Sequence, residues 1–295
     1  MGHDAARHGR TAAGSWLALA LLCLLPCGFA RAVDAGLPPG PSLVGLDHLP
    51  TAVSDLDAAA EDYRRLGFAL KPGRPHDNGL RNRHVKFPDG SGIELITPGA
   101  GARDALTARY AAHLEAGEGP AYLALHARET EPFVAALDAA GIGHARDGGV
   151  ISLDDPALGF LFFVRDNRSP TDLPEHFAHP NTAAAMTGVW LALDADTHAR
   201  LARLLLALGA RRGEATIPLE TSVAADVFHV QNGRIAIVPA QYRQVPGRPV
   251  LGAEFRLRDP ARASSTLDAF RTATGAASYL VPPRAAHGAW LSFPP

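Results

Sequence analysis

The chain has 295 residues, 47% of them hydrophobic and 20% charged, with a formal net charge of -2 at pH 7. That composition fits a globular protein long enough for two cores of ordinary size, and the absence of a basic stripe argues against nucleic acid as a partner. No Walker-type phosphate loop, GxSxG elbow or HExxH occurs, so nucleotide hydrolysis and serine or zinc-protease chemistry have no direct support.

At the N-terminus, Arg7 and Arg10 precede an apolar run from Trp16 to Leu25, and Ala30-Arg31-Ala32 offers a small-x-small cleavage site. The run is short for a membrane span, so residues 1–32 read as a secretory signal peptide cut after Ala32. The mature chain is then expected to be periplasmic or secreted, without stable membrane insertion; an uncleaved N-terminal membrane anchor is the alternative. Cys23 and Cys27, the only cysteines, would leave with the signal, and the loss of three arginines and one aspartate moves the formal charge from -2 to -4. Residues 33–42 form a Gly/Pro-rich tether.

Next comes a strand in which Leu46, His48, Pro50 and Ala52 alternate with Asp47, Leu49, Thr51 and Val53. Pro50 has no N–H for a ladder and favours an edge or a bulge. Ser54 is the expected helix N-cap, with Asp55 and Asp57 at the positive end of the helix dipole. Leu56, Ala59, Ala60, Tyr63 and Leu66 recur at helical spacing, and Gly67 supplies the left-handed stop. Phe68 to Leu70 restarts an extended run. Arg83–Phe87, the Asp89-Gly90 turn and Ile93–Thr97 form a hairpin. Between them, Arg74, His76, Asp77, Asn78 and Arg81 belong to a loop that either covers a pocket mouth or is simply solvated.

The outline recurs when the chain is aligned on the glycine closing each helix: Gly67, Gly141, Gly209 and Gly275. In the second copy the strand Ala121–Ala127 leads to a helix with Phe133, Val134 and Leu137, then to strands Val150–Leu153 and Phe160–Val164. In the third, Val189–Leu193 precedes a helix with Leu201, Leu204, Leu205 and Leu208, followed by Val227–Val230 and Ile235–Val238. The fourth, from Leu251 through Phe270 to a strand at Ala289–Phe293, is the least regular. The copies suggest two pairs, residues 43–165 and a divergent 186–295, joined by a linker at 166–185. A chain without true repeats is the alternative, since a helix followed by glycine is common.

The Asp47-His48 strand, the Ser54-Asp55-Leu56-Asp57 helix start, Leu66-Gly67-Phe68, Asn82-Arg83, the Glu94 strand and His179-Pro180-Asn181-Thr182-Ala183 together resemble the glyoxalase-like branch of the vicinal oxygen chelate superfamily. The resemblance covers roughly residues 43–183. It implies that two βαβββ modules pair into a half-open sheet, which with the four recurring copies gives the expected α+β fold of four βαβββ-type modules paired into two half-open sheets with helices packed outside. Pairing within a chain or between chains leaves a homodimer open. It also implies a small-molecule substrate or ligand with adjacent oxygens, and a divalent metal that chelates them and stabilises the developing enolate or oxyanion.

His48 and Glu94 are the primary metal-ligand candidates, because imidazole and carboxylate suit zinc, iron, manganese or nickel. The second module offers Tyr122 opposite His48, and Leu161 where a second glutamate is expected. His126 shares the strand face of Tyr122 and is the candidate third ligand. A metal-free pocket, with His48 hydrogen-bonded and Glu94 satisfied by an arginine or an amide, is the alternative. Arg83 and His84 precede the hairpin turn, and a one-residue slip decides which of them faces Glu94. An inward Arg83 would pair with Glu94; an inward His84 would be a ligand or base. Glu94 and His84 are thus the catalytic candidates, and Asn82, Arg83 and Tyr122 the pocket candidates. His176 and His179, flanked by prolines, read as linker residues, and His229 as structural.

Three function classes remain open: a metal-dependent lyase, isomerase or oxygenase; a small-molecule binding protein without turnover; and a structural or partner-binding role for the C-terminal pair.

Overall fold

A computed structural model of the chain describes residues 42–74, 76–99, 103–272 and 278–295. The expected signal peptide, nearly all of the tether, and Gly275 lie outside the described residues. No described helix is long and apolar enough to cross a membrane.

The first sheet is built from β1 (Gly45–Ala52), β2 (Lys71–Pro72), β3 (Arg81–Lys86), β4 (Gly92–Thr97), β5 (Gly119–Pro120), β6 (Leu123–His126), β7 (His144–Asp147), β8 (Val150–Leu153) and β9 (Leu161–Val164). Helices α1 (Leu56–Arg65), α2 (Ala105–Glu115) and α3 (Thr130–Ala139) connect them. The second sheet contains β10 (Ala183–Leu193), β11 (Arg211–Pro218), β12 (Ser222–Val230), β13 (Gly233–Pro239), β14 (Val250–Leu257), β15 (Tyr279–Val281) and β16 (Trp290–Phe293), with α4 (Ala195–Ala207) and α5 (Pro260–Leu267). In the first sheet the strands run β2-β3-β4-β1-β6-β9-β8-β7, with β5 on β1; in the second, β11-β12-β13-β10-β14-β16-β15. The expected α+β architecture of paired modules is present, although among the described residues the fourth module has one strand fewer than the others.

Each module begins with a strand that lies parallel to its last: β1 with β4, β6 with β9, β10 with β13 and β14 with β16. The connecting helix packs on one face. On α1, Leu56, Ala59, Ala60 and Tyr63 are buried, which is the stripe that the helical spacing predicts. The N-cap is Asp55 and not Ser54: its carboxylate accepts from the amides of Asp57 and Ala58, while the Ser54 amide donates to Glu118. Aspartate caps as well as serine does, so the local chemistry allowed either. Gly67 stops the helix at φ +81°, where a side chain would also collide with Asn181.

A β-bulge in β1 sets the site. The register to β6 slips between Leu46 and His48, so Leu46 joins Leu49 and Val53 in the core against the helices, and His48 turns to the opposite face. Simple alternation had put Leu46 and His48 on one face. Pro50 follows the slip within this central strand, and its carbonyl accepts from the amides of Ala121 and Tyr122.

Candidate functional site

The face of the first sheet away from α1 and α3 opens into a cavity of about 740 Å³, a size that suits a small organic ligand. His48 from β1, Asn82, His84 and Lys86 from β3, Glu94 from β4 and Lys71 from β2 line its floor. Arg74 and His76, from the loop after β2, line one side. The opposite wall is Asp166 to Ser169, Thr171, Leu173 and His176, from the segment read as a linker.

The hairpin register decides between Arg83 and His84. His84 lies opposite Glu94 and Arg83 opposite Leu95. His84 therefore faces the cavity, whereas Arg83 points to the helix face and pairs with Asp57 at 3.5 Å. Arg83 is not a pocket residue.

At the centre, His48 is held between two carboxylates. Its Nδ1 donates to Asp47 Oδ1 at 2.6 Å, and its Nε2 is 3.4 Å from Glu94 Oε2. Asn82 Nδ2 donates to the other Glu94 oxygen at 2.6 Å and lies 3.2 Å from His76 Nε2. Burial opposes a charge on His48, but the hydrogen bonds and charges of Asp47 and Glu94 outweigh it and raise its pKa to about 9. Burial also opposes a charge on Glu94; the His48 hydrogen bond and charge, the His84 charge and the Asn82 hydrogen bond prevail, and its pKa falls to about 2. His84 has its pKa lowered to about 4 by burial, with the charges of His48, Lys86 and Lys71, in spite of the Glu94 charge. It is neutral at pH 7, and its buried Nδ1 has no hydrogen-bond partner. Asp47 Oδ2, Asn82 Oδ1 and, in the wall, Asn167 Nδ2 are likewise buried and unpartnered, so four of the six such atoms among the described residues belong to this one site.

The other candidates sit elsewhere. His126 ends β6, which begins one residue after Tyr122, and lies over Gly45, with Nδ1 at 3.1 Å from the Leu46 carbonyl and Nε2 at 3.1 Å from Gln231 Oε1. Both ring nitrogens are engaged, which removes it as a ligand candidate. Tyr122 is set back from the cavity in an aromatic cluster with Tyr110, His113 and Phe162. Phe162 is the second module's contribution to the site, since it meets the His48 ring edge-on at 5.9 Å. Leu161, aligned with Glu94 in the sequence, is in the core. His176 does line the cavity, contrary to its reading as a plain linker residue, whereas His179 is structural.

Sequence reasoning passed over Asp47, whose adjacency to His48 was the available signal, Lys86, which period-two alternation from His84 puts on the cavity face, and Lys71, whose place opposite His84 only the pairing of β2 with β3 reveals.

Among the described residues no group of three or more His, Cys, Asp or Glu side chains is arranged to hold a metal ion. The pair at the centre nevertheless passes a distance test. Ligand atoms roughly 2.1 Å from a tetrahedral ion lie about 3.4 Å apart, which is the separation of His48 Nε2 and Glu94 Oε2. A carboxylate on the remote nitrogen of a ligating histidine, as Asp47 is on His48, is the usual outer support of such a site.

Residues 46–211 match the family model described as a glyoxalase-like domain. No curated protein matches the chain in sequence. Among solved structures, a mutant of 4-hydroxymandelate synthase from Streptomyces coelicolor aligns at 12% identity and TM-score 0.60, over 87% of this chain and 92% of that one. A hypothetical protein from Staphylococcus aureus aligns at 12% identity and TM-score 0.56, over 85% and 99%. An extradiol ring-cleaving dioxygenase from B. fuscum aligns at 13% identity and TM-score 0.55, over 87% and 73%. At such identities the likeness is one of fold.

Proposed function

The chain belongs to the glyoxalase-like domain family of the vicinal oxygen chelate superfamily, and from that premise we propose that it is a metal-dependent lyase, isomerase or oxygenase acting on a small molecule with neighbouring oxygens. The observation that carries the reading is the Asp47–His48–Glu94 array on the cavity floor, with ligand atoms 3.4 Å apart and the remote histidine nitrogen already anchored. His48 and Glu94 would hold a divalent ion, zinc, iron, manganese or nickel, with cavity water or substrate filling the remaining positions. Such an ion, when bound, supplies Lewis-acid stabilisation of negative charge on the chelated oxygens.

The chain's own residues do the rest. Asp47 fixes the His48 ring so that Nε2 looks into the cavity. Asn82 fixes Glu94 through one oxygen and leaves the other free for the ion. His84, neutral and with Nδ1 unpartnered, is the acid–base group that takes a proton from the substrate. Phe162 covers the edge of His48 and keeps that side of the site apolar.

A second reading, a binding protein without turnover, is favoured by one observation: a protonated His48 and an ionised Glu94 satisfy each other as an ion pair without any metal. Thermal unfolding with and without added divalent ion separates the two. An ion that binds only the folded state raises the midpoint, by an amount that grows with the logarithm of its concentration over Kd. The enzyme reading expects that increment in the wild type and its loss in His48→Ala and Glu94→Ala. No increment with any of the four ions would leave the binding reading standing. Export through residues 1–32 is part of the proposal, and an N-terminus at Val33 in protein recovered from the extracellular or periplasmic fraction is the expected result.

A further inference from the structure

Four side chains form a row across the cavity floor. Lys71 on β2 lies opposite His84 on β3, and His84 lies opposite Glu94 on β4, which meets His48. Residues directly opposite one another in a sheet share a face, and Lys86, two residues beyond His84, shares it too. Both lysines line the cavity. Their ammonium groups converge on one carboxylate, Asp172, at 2.5 Å from Lys71 and 3.4 Å from Lys86.

Two cations on one carboxylate leave a local positive charge over at Asp172, and Asp47, which also acts on Lys86, is already bonded to His48. The lysine side chains are 12% and 3% exposed, so bulk water does little to relieve it. A merely structural ion pair would need one lysine, because an uncompensated charge at such depth is costly. The hydrogen bonds are short as well. Among the described residues Lys71 Nζ meets only Asp172, and Lys86 Nζ meets Asp172 and the Asn167 carbonyl. Each ammonium has three N–H donors, so three remain for a guest. Arg74, at the mouth, has no ion pair among the described residues and adds to the same sign of field.

Resting on the reading that His48 and Glu94 engage the substrate's neighbouring oxygens through a metal, we infer that the substrate is a small organic acid whose carboxylate docks on Lys71 and Lys86. Neutral His84 lies between the two ends. Adjacent strands are about 4.8 Å apart, so Lys71 and Glu94 are separated by about 10 Å of backbone, within which two inward-reaching side chains leave room for one ring or a chain of similar length.

The test compares protocatechuate with catechol, which share the neighbouring oxygens and differ by the carboxylate, in calorimetric titrations of the intact mature protein. A charge-assisted contact to a lysine makes protocatechuate bind about tenfold or more tightly than catechol. Lys71→Met abolishes the preference, Lys71→Arg retains it, and Asp172→Asn, which removes the competing carboxylate, keeps or enlarges it. Chelation distinguishes the two layers of the argument. If the metal reading holds, it weakens both compounds alike; if the preference persists but chelation changes nothing, the metal reading fails and the acid subsite stands. Equal binding of the two compounds, no binding of protocatechuate at millimolar concentration, or a preference that Lys71→Met leaves intact would overturn the inference.

Discussion

At the scale of residues, the proposed function sets a metal in competition with a proton for His48 Nε2. The proton is favoured by both Asp47 and Glu94 and leaves with a pKa of about 9, so below that pH metal binding must expel it. The metal affinity is therefore expected to rise about tenfold per pH unit up to about pH 9 and then level off, measured by titration in buffers of graded pH. An affinity independent of pH between 6 and 8 would contradict a ligating, otherwise protonated His48. In the metal-free protein the sign differs for each partner. The raised His48 contributes stability that is fully present below pH 6.5 and lost as pH climbs through about 9. The depressed Glu94 contributes stability present above pH 4.5 and lost as pH falls through about 2. His48→Ala should flatten the alkaline loss in urea unfolding. His48, Glu94, Asn82 and His84 were legible as residue types on alternating strands. The choice of His84 over Arg83 was not, because only the pairing of β3 with β4 fixes it, and one residue of slip inverts the answer. His126 misled for a related reason: Tyr122 lies before the start of β6, and the slip in β1 leaves His126 beside Gly45 and the Gln231 side chain.

At the scale of elements, the segment after β9 does two jobs. Its first part walls the cavity with Asp166, Arg168 and Ser169 and brings Asp172 to the lysines. Its second part, His179 to Thr182, clasps the first module. Asn181 Nδ2 donates to the Leu66 carbonyl at the end of α1, and the Asn181 amide donates to the Gly67 carbonyl. His179 Nδ1 accepts from the Ala69 amide at 2.9 Å, so its Nε2 carries the hydrogen given to the Lys86 carbonyl at 3.0 Å. That tautomer is neutral by construction, since a proton on Nδ1 would face another N–H. Burial among Phe68 and Phe87 lowers the His179 pKa to about 4. Between pH 6.5 and 4 the unfolded chain takes up a proton there and the folded one does not, so stability falls with pH in that window. His179→Phe should be less stable than wild type at pH 7 but should lose less on acidification to pH 4; an unchanged slope would refute the role. The proline-flanked histidines were visible in the sequence, but nothing local tells a clasp from a tether when every partner is about a hundred residues away.

At the scale of the whole molecule, two sheets of like construction have been put to different use. In the second, the face that does not meet the helices is filled by Trp190, Trp290, Ile217, Val223 and Leu251. Glu254 is buried there, receiving Trp190 Nε1 at 2.7 Å and Arg234 at 2.8 and 3.0 Å. Arg234→Met would strand that carboxylate and is expected to cost about 3 kcal/mol of stability, read from urea unfolding midpoints; a loss below about 1 kcal/mol would show that the pair is not holding this sheet together. The paired-module plan was legible from the recurrence of strand, helix and glycine, and the divergence of the second pair from its weaker motifs. The filling of that face of the second sheet was not legible, because it depends on which alternate residues of seven strands meet. The proposed function requires the cavity of the first sheet to hold a metal at His48 and Glu94. Elemental analysis of the purified protein, prepared without a histidine tag and reconstituted with zinc, iron, manganese or nickel, tests it most directly. The expected result is close to one ion per chain in the wild type and none retained by His48→Ala or Glu94→Ala; a wild type that retains no metal, or variants that retain as much as the wild type, would contradict it.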